Sequence, residues 1–314
     1  MKMISLFAGP GGLCYAAECE GVPSVGIEWD ANACATRRAA GLTTVEGDVR
    51  SYGPADFPDC NVLAGGPPCQ TFSMTGNGAG RRALREVLHI AARMAQRKGV
   101  SFMLADLTDE RTALVLEPLR WALEAHHLGR PYRAIILEQV PTVLPVWDFF
   151  ATVLRGLGYN VEVGILRAEQ YGVAQTRKRA VLIASLDHAV ELPKPEFLPF
   201  RHGAVNDCRT MADVLPERGE FEVISNYGSG GDAANRGRRH SDEPAFTVTG
   251  KISRNRLVTS GGVELPRLSH AEAGVLQSFP EAWPWQGKDI PQQIGNAAPP
   301  LLMRPLVRAA VFGD

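Results

Sequence analysis

The run Ile4-Ser5-Leu6-Phe7-Ala8-Gly9-Pro10-Gly11-Gly12-Leu13 decides the fold class. A short apolar strand signal ends at Phe7, a glycine-rich turn follows, and helical periodicity begins at Leu13 and continues to Glu20. Glycines at a strand-to-helix turn let the backbone approach a ligand closely, and the start of the helix offers unpaired N–H groups. The spacing departs from G-x-G-x-x-G, so the loop alone does not specify a dinucleotide.

Working outward, the same alternation repeats. Residues 24–28 precede a helical 31–40, residues 61–64 precede a long stretch with helical segments, and 133–137 precede 146–157. Two further strands are expected at 160–166 and 180–185. Strands alternating with helices predict an α/β fold, a doubly wound and mainly parallel sheet covered on both faces. After Asp187 the character changes. Residues 192–200 carry three prolines, and the glycine-rich 226–231 and a basic stretch follow without helical period. Helical patterning resumes at 269–278, and 299–312 reads as a closing helix that packs back on the first domain. The expected organisation is a catalytic and cofactor-binding domain over 1–187, completed by 267–314, with a smaller, irregular β-rich domain over 188–266.

A chain of 314 residues that is 45% hydrophobic can bury a sizeable core, which excludes disorder. Lys plus Arg number 33 against 34 for Asp plus Glu, so no global positive field draws the chain to nucleic acid and any polyanion site must be local. No apolar run approaches the roughly 20 residues of a membrane helix, and residues 1–6 lack the flank and core of a signal peptide. A soluble intracellular protein is expected. The six cysteines include no C-x-x-C pair and are too sparse for a disulfide scaffold, so most are buried small hydrophobes by default and an exception has to be argued singly.

Cys69 makes that case. Gly65-Gly66-Pro67-Pro68-Cys69-Gln70-Thr71-Phe72-Ser73 follows the fourth strand directly, with prolines fixing the backbone and glycines allowing close approach. A thiolate nucleophile wants such a rigid, partly exposed site. Glu138 ends the next strand in Ile135-Ile136-Leu137-Glu138, where an acid after an apolar run belongs at a strand mouth and a low-dielectric setting favours its protonated form. Glu28 and Asp48 close the second and third strands. Read singly each is an ordinary surface carboxylate; together, the converging strand ends point to a nucleoside-containing cofactor.

In order along the chain, Phe7–Gly12, Glu28-Trp29, Asp48, Pro68-Cys69-Gln70, Glu138, Gln175-Thr176-Arg177-Lys178-Arg179, Leu276-Gln277-Ser278-Phe279-Pro280 and Gly295-Asn296 together resemble the motifs of the DNA (cytosine-5) methyltransferases. The resemblance extends through most of the chain outside 188–266. It implies that Cys69 attacks carbon 6 of cytosine, that protonated Glu138 stabilises the charge developing at ring nitrogen 3, and that Arg177 and Arg179 hold the base and the loop beside Glu138. It implies S-adenosylmethionine as methyl donor, leaving S-adenosylhomocysteine, and a base flipped out of the stack. For that cofactor it implies Phe7 with the Gly9, Gly11 and Gly12 backbone at the methionine and adenosine end, and Glu28 on the ribose hydroxyls. Trp29 falls on adenine, Asp48 on the adenine amino group, and Pro68 and Asn296 complete the pocket. Trp29 has a second reading, as a core residue. No metal is implied.

The same resemblance makes 188–266 the target-recognition region, with Thr247-Val248 as its Thr-plus-aliphatic pair. Double-stranded DNA is the expected partner, contacted by Gln70 and Ser73 of the catalytic loop, by Thr247, and by Arg236, Arg238, Arg239, Lys251, Arg254 and Arg256. These six basic residues, against Asp242 and Glu243, suit phosphate and guanine contacts or form a basic loop. A monomer with no obligatory protein partner, in a bacterial or phage-encoded cytoplasmic setting, is the expectation. Two departures from the family pattern stand out. Gln139 follows the glutamate where Asn is usual, and the Cys69–Glu138 interval is long, with extra sequence around 77–105. The extra part carries Arg81, Arg82, Arg85, Arg93, Arg97 and Lys98 on a helical pattern with Leu84, Val87, Leu88 and Ala91, which either touches phosphates or is a solvated face. An RNA-directed relative is the first rival, though the Cys-Phe-Thr signature of that branch is absent. A catalytically idle DNA-binding relative is the second, and a nicotinamide-dependent dehydrogenase leaves the Pro-Pro-Cys-Gln loop unexplained.

Overall fold

The computed structural model describes residues 1–68, 79–105, 107, 110–201, 207–225 and 236–313. The chain runs β1 (Met3–Leu6), α1 (Gly12–Cys19), β2 (Ser24–Glu28), α2 (Ala31–Ala39), β3 (Thr43–Glu46), β4 (Val62–Gly65), α3 (Ala79–Ala95), α4 (Ser101–Ala105), α5 (Glu110–Leu114) and α6 (Glu117–His127). It continues through β5 (Ala134–Gln139), α7 (Leu144–Gly156), β6 (Asn160–Arg167) and β7 (Lys178–Ser185). Then follow α8 (Met211–Val214), β8 (Glu222–Ile224), β9 (Arg238–His240), β10 (Arg256–Val258), β11 (Glu264–Leu265), α9 (His270–Leu276), α10 (Ile290–Asn296) and α11 (Pro300–Val311).

Seven strands form one sheet in the order β3-β2-β1-β4-β5-β7-β6. The pairs from β3 to β5 are parallel, and β7 runs antiparallel to both β5 and β6. Alternation along the strands sends side chains to opposite faces. Ile4, Leu6, Ile135 and Leu137 join a core with residues of α3, α6 and α7, including Ile90, Trp121 and Trp147. Met3, Ala134 and Ile136 join a second core with α1 and α11, including Leu13, Leu302 and Leu306. The closing helix α11 therefore returns to the first sheet and packs beside α1. The sequence order reverses between β1 and β4, so the loops leaving those two strands flank a crevice at the carboxyl edge, where open α/β sheets bind ligands.

A second sheet, β11-β10-β8-β9, is antiparallel and small. Its core includes Val223, Val248 and Leu257, and is continuous with Leu276 of α9 and Ile294 of α10. The glycine-rich 226–231 lies outside the described residues. Among those residues no helix is long and apolar enough to cross a membrane.

Candidate active site

The turn after β1 is built from left-handed backbone: Phe7 has φ 55°, Gly9 54° and Gly11 110°. Such values are disfavoured for a residue with a side chain, so Phe7 is held there by its surroundings, including the next amide, Ala8 N, which donates to Ile27 O at 3.0 Å. Glu28, at the end of β2, closes over the turn. Its Oε2 accepts from Gly9 N at 2.7 Å, and Oε1 accepts from the amides of Trp29 and Asp30, each at 2.9 Å. A carboxylate offers about four lone-pair sites, so these three bonds leave capacity for a ligand hydroxyl. Beside it the Trp29 side chain is 68% exposed, which excludes the core reading of that residue. A Cβ on Gly9 would meet nothing within 4 Å, so open space adjoins the turn; one on Gly12 would come within 2.0 Å of Ala298 O. The start of α1 thus lies against the backbone that follows α10, where Asn296 is exposed and its Oδ1 accepts from Gln292 Nε2 at 2.7 Å.

Asp48 stands two residues beyond the end of β3 and caps the short turn Val49–Ser51. Its carboxylate is engaged by Arg50, with Oδ2 2.6 Å from Nη2. Those bonds hold the Asp48 carboxyl below the usual carboxylate range despite partial burial. Behind the crevice lies a residue whose part in the site is not evident from sequence position. Arg37 of α2 is fully buried and donates to Ala8 O, Thr43 O and Thr44 Oγ1 at 3.1 to 3.4 Å. Gly26 of β2 leaves it room, since a Cβ there would lie 2.0 Å from Arg37 Nη2. The only sequence signal was Arg37 falling on the same helical face as Ala33 and Cys34.

The loop after β4 meets β5 across the switch point. Cys69, Gln70 and Ser73 lie outside the described residues; the approach to them, Gly66-Pro67-Pro68, lies within. Glu138 is 7% exposed, and a Cβ on Gly66 would sit 3.4 Å from its Oε2. Arg179 of β7 places Nε 2.6 Å from Glu138 Oε1, a close ion pair. Its N–H is not aligned on the oxygen, so Oε1 is a buried acceptor with no hydrogen bond among the described residues. Burial pushes the Arg179 guanidinium down from its ordinary value, and Glu138 opposes that shift. Gln139 binds the loop itself, donating from Nε2 to Pro67 O at 2.5 Å while Oε1 accepts from Val140 N. The extra methylene relative to Asn is accommodated with the loop tethered.

Arg177 has other partners. Its guanidinium donates to Val248 O at 2.8 Å, Gly295 O at 2.9 Å and Ala297 O at 3.2 Å, linking the second sheet's core to the end of α10. Burial pushes it well down and the nearby Arg179 adds to that, while Glu138 opposes it. Gln175, fully buried, donates to Leu276 O and Gln277 Oε1 and accepts from Val248 N. Thr247 Oγ1 donates to Thr176 O at 2.5 Å. Of the six basic residues between 236 and 256, three are engaged by other described residues. Arg238 pairs with Glu222 and Arg256 with Glu264, and Arg239 stacks over the rings of Phe200 and Phe246 at 4.1 and 4.9 Å. Lys251 and Arg254 are exposed and Arg236 is half-buried.

The family model for C-5 cytosine-specific DNA methylases matches residues 1–104 and 133–218. Among similar proteins, the type II methyltransferase M.AplI of Arthrospira platensis is 27% identical over 98% of this chain and 85% of its own length. The type II methyltransferase M.NgoFVII of Neisseria gonorrhoeae is 26% identical over 95% of this chain and 83% of its own. The crystal structure of the S. pombe Dnmt2 methyltransferase shares the fold, with a TM-score of 0.66 at 18% identity over 98% of this chain and 97% of that one. The Entamoeba histolytica methyltransferase EhMeth does so with a TM-score of 0.57 at 14% identity, over 99% and 97%.

Proposed function

The chain belongs to the family of C-5 cytosine-specific DNA methylases, and from that premise we propose that it methylates carbon 5 of a flipped cytosine in a specific duplex sequence, using S-adenosylmethionine and a covalent adduct on Cys69. The observation that carries the reading is Glu138. It is a buried carboxylate at a strand mouth, packed against Gly66, paired with Arg179 at 2.6 Å, and left with Oε1 lacking an aligned donor among the described residues. A pyrimidine edge entering beside the Pro67-Pro68 turn would supply that missing partner.

The chemistry follows from what cytosine lacks. Carbon 5 is a poor nucleophile, so the Cys69 thiolate adds to carbon 6 and turns carbon 5 into an enamine-like centre. Glu138 in its protonated form stabilises the charge arriving at ring nitrogen 3, and Arg179 orients Glu138. S-adenosylmethionine, when bound, supplies an electrophilic methyl group and departs as S-adenosylhomocysteine. Loss of the carbon 5 proton then expels the thiolate and restores aromaticity. None of this is possible within the base stack, so the nucleotide must flip. Arg177 serves by position, bound to three carbonyls rather than facing the base.

The cofactor's groups fit the crevice beside β1 and β2. Glu28 retains hydrogen-bonding capacity for ribose hydroxyls, Trp29 offers its ring to adenine, and Phe7, Gly9, Gly11 and Gly12 line the turn with open space next to Gly9. Asp48 would meet the adenine amino group with a carboxylate it shares with Arg50, while Pro68 and Asn296 border the pocket. Residues 1–187 with 267–314 form the catalytic part of this scheme and 188–266 the recognition part, with duplex DNA between them. There Arg236, Lys251 and Arg254 are the contacts least engaged by the chain, with Gln70 and Ser73 acting from the catalytic loop. Arg238, Arg239 and Arg256 reach DNA only if their present partners release them, and Thr247 shapes the base pocket through Thr176. The enzyme acts in the cytoplasm, as a monomer.

Expression in a host lacking cytosine methylation, followed by bisulfite sequencing of its genome, tests the reading. Methylation at one short consensus, absent with Cys69→Ser, is the expected result. A blank genome with methylated RNA in the same cells would instead establish the RNA-directed activity, and blank DNA and RNA an idle binder.

A further inference from the structure

Helix α3 follows the catalytic loop, and its first turns carry cations without an acid in the first turn to offset them. Val87, Ile90 and Ala91 are buried in the core, which turns Arg82, Arg85 and His89 outward, all exposed. These positions fall within about 60° of one another at 100° per residue, one stripe opposite the buried one. The first turn of α3 has no acidic residue, and Arg82 lies where the helix dipole disfavours a cation. Glu86 is exposed beside the stripe and Arg93 lies in the last turn, where a cation is favoured, so it is the Arg82 end that sets its charge against the dipole. Direction matters as well. α3 begins at Ala79, ten residues beyond Cys69, on the chain that leaves β4 at the carboxyl edge of the sheet, where Glu138 stands. A helix that follows a strand of a parallel sheet and packs on its face runs back toward the amino edge, so the Arg82 end of α3 lies toward the carboxyl edge and the far end toward the amino edge. Seventeen residues span about 26 Å between those ends.

We infer that Arg82 and Arg85 bind backbone phosphates of duplex DNA flanking the target cytosine, and that the opposite end of the helix does not. The inference rests on the DNA-methylating reading above. In a chain of net charge −1, attraction to a polyanion has to come from local groups of this kind. Because phosphate contacts carry no sequence information, the pair contributes affinity and positioning equally on every sequence.

The test is the salt dependence of binding to a mixed-sequence duplex, followed by fluorescence anisotropy, for the full chain and three double variants. Each phosphate contact adds roughly 0.9 to the slope of log K against log salt. Arg82→Gln with Arg85→Gln should lower the slope by about 1.8, and Arg82→Lys with Arg85→Lys should retain it. Arg97→Gln with Lys98→Gln, which removes as much charge from the far end, should leave it unchanged. Thermal melting of each variant guards against misfolding. An unchanged slope in the first variant, or an equal fall in the far-end variant, overturns the inference while leaving the methyltransferase reading intact. Absence of DNA binding by the wild-type chain overturns both.

Discussion

Glu138 and Gly12 answer different questions at the scale of one residue. Glu138→Gln keeps the shape of a side chain that is 7% exposed and removes its ability to carry the proton. We predict that turnover falls about 100-fold or more, while the dissociation constant for S-adenosylmethionine, measured by calorimetry, stays within about twofold of wild type. Equal loss of both would assign Glu138 a structural role. Gly12→Ala addresses architecture. The added Cβ would lie 2.0 Å from Ala298 O, a backbone atom that cannot swing aside. Urea unfolding should show a loss of about 1–3 kcal/mol; a neutral result would mean that the segment after α10 yields freely. Both residues stand out in the sequence, one as an acid ending an apolar run and one in a glycine-rich turn. Arg37 does not. Its burial arises because Gly26 vacates the space that its guanidinium fills, and those two positions meet only when α2 packs on β2.

At the scale of elements, α9 shows a short helix fastened at its first turn. Ser269 and Glu272 form a capping box, and the Glu272 carboxylate also receives Arg218, whose Nη2 is 2.8 Å from Oε2. The Arg218 hydrogen bond and, against the opposing effect of burial, the Ser269 bonds bring Glu272 down to about 2 from an ordinary 4.5. A carboxyl depressed on folding stabilises the native state fully above its unfolded value and loses that contribution as pH falls through the folded one. The melting-temperature advantage of wild type over Glu272→Gln should therefore be constant at neutral pH and shrink from about pH 4.5 toward 2. An advantage that persists at pH 2 would remove the ion pair from the explanation. The Ser269-x-x-Glu272 spacing is readable in the chain, whereas Arg218, 54 positions away, is brought to it by the core of the second sheet.

Across the whole molecule, Arg177 and Gln175 link the two sheets through buried polar side chains. Gln175 joins the segment before β7 to Val248 and α9, and Arg177 joins it to Val248 and the end of α10. Removing the guanidinium leaves Val248 O and Gly295 O without their donor, while Ala297 O keeps its bond from Gln277 Nε2; a buried unsatisfied carbonyl costs roughly 1–3 kcal/mol. Arg177→Met should lower unfolding free energy by at least about 2 kcal/mol in urea. Arg177→Lys should recover only part, because a single ammonium cannot reproduce a planar fork with several donors. Full recovery by Lys would show that charge, not geometry, matters at this point.

The sequence by itself determined the α/β class, the order of the main-sheet strands along the chain and the family. Those depend on local periodicity and on short motifs whose spacing survives in one dimension. It also singled out Glu138 and Arg179 by motif match. Only the tertiary structure decided which groups meet: Glu138 with Arg179, Gln139 with Pro67, Arg37 with the turn after β1 and the start of β3, and Arg177 with carbonyls far along the chain. It likewise engaged Arg238, Arg239 and Arg256 inside the smaller part of the molecule, where composition alone counted them as free cations. The physical reason is common to these cases. A hydrogen bond or ion pair is made between atoms a few ångströms apart, and chain separation does not encode that distance until the sheet order and the packing of helices on its faces have been settled.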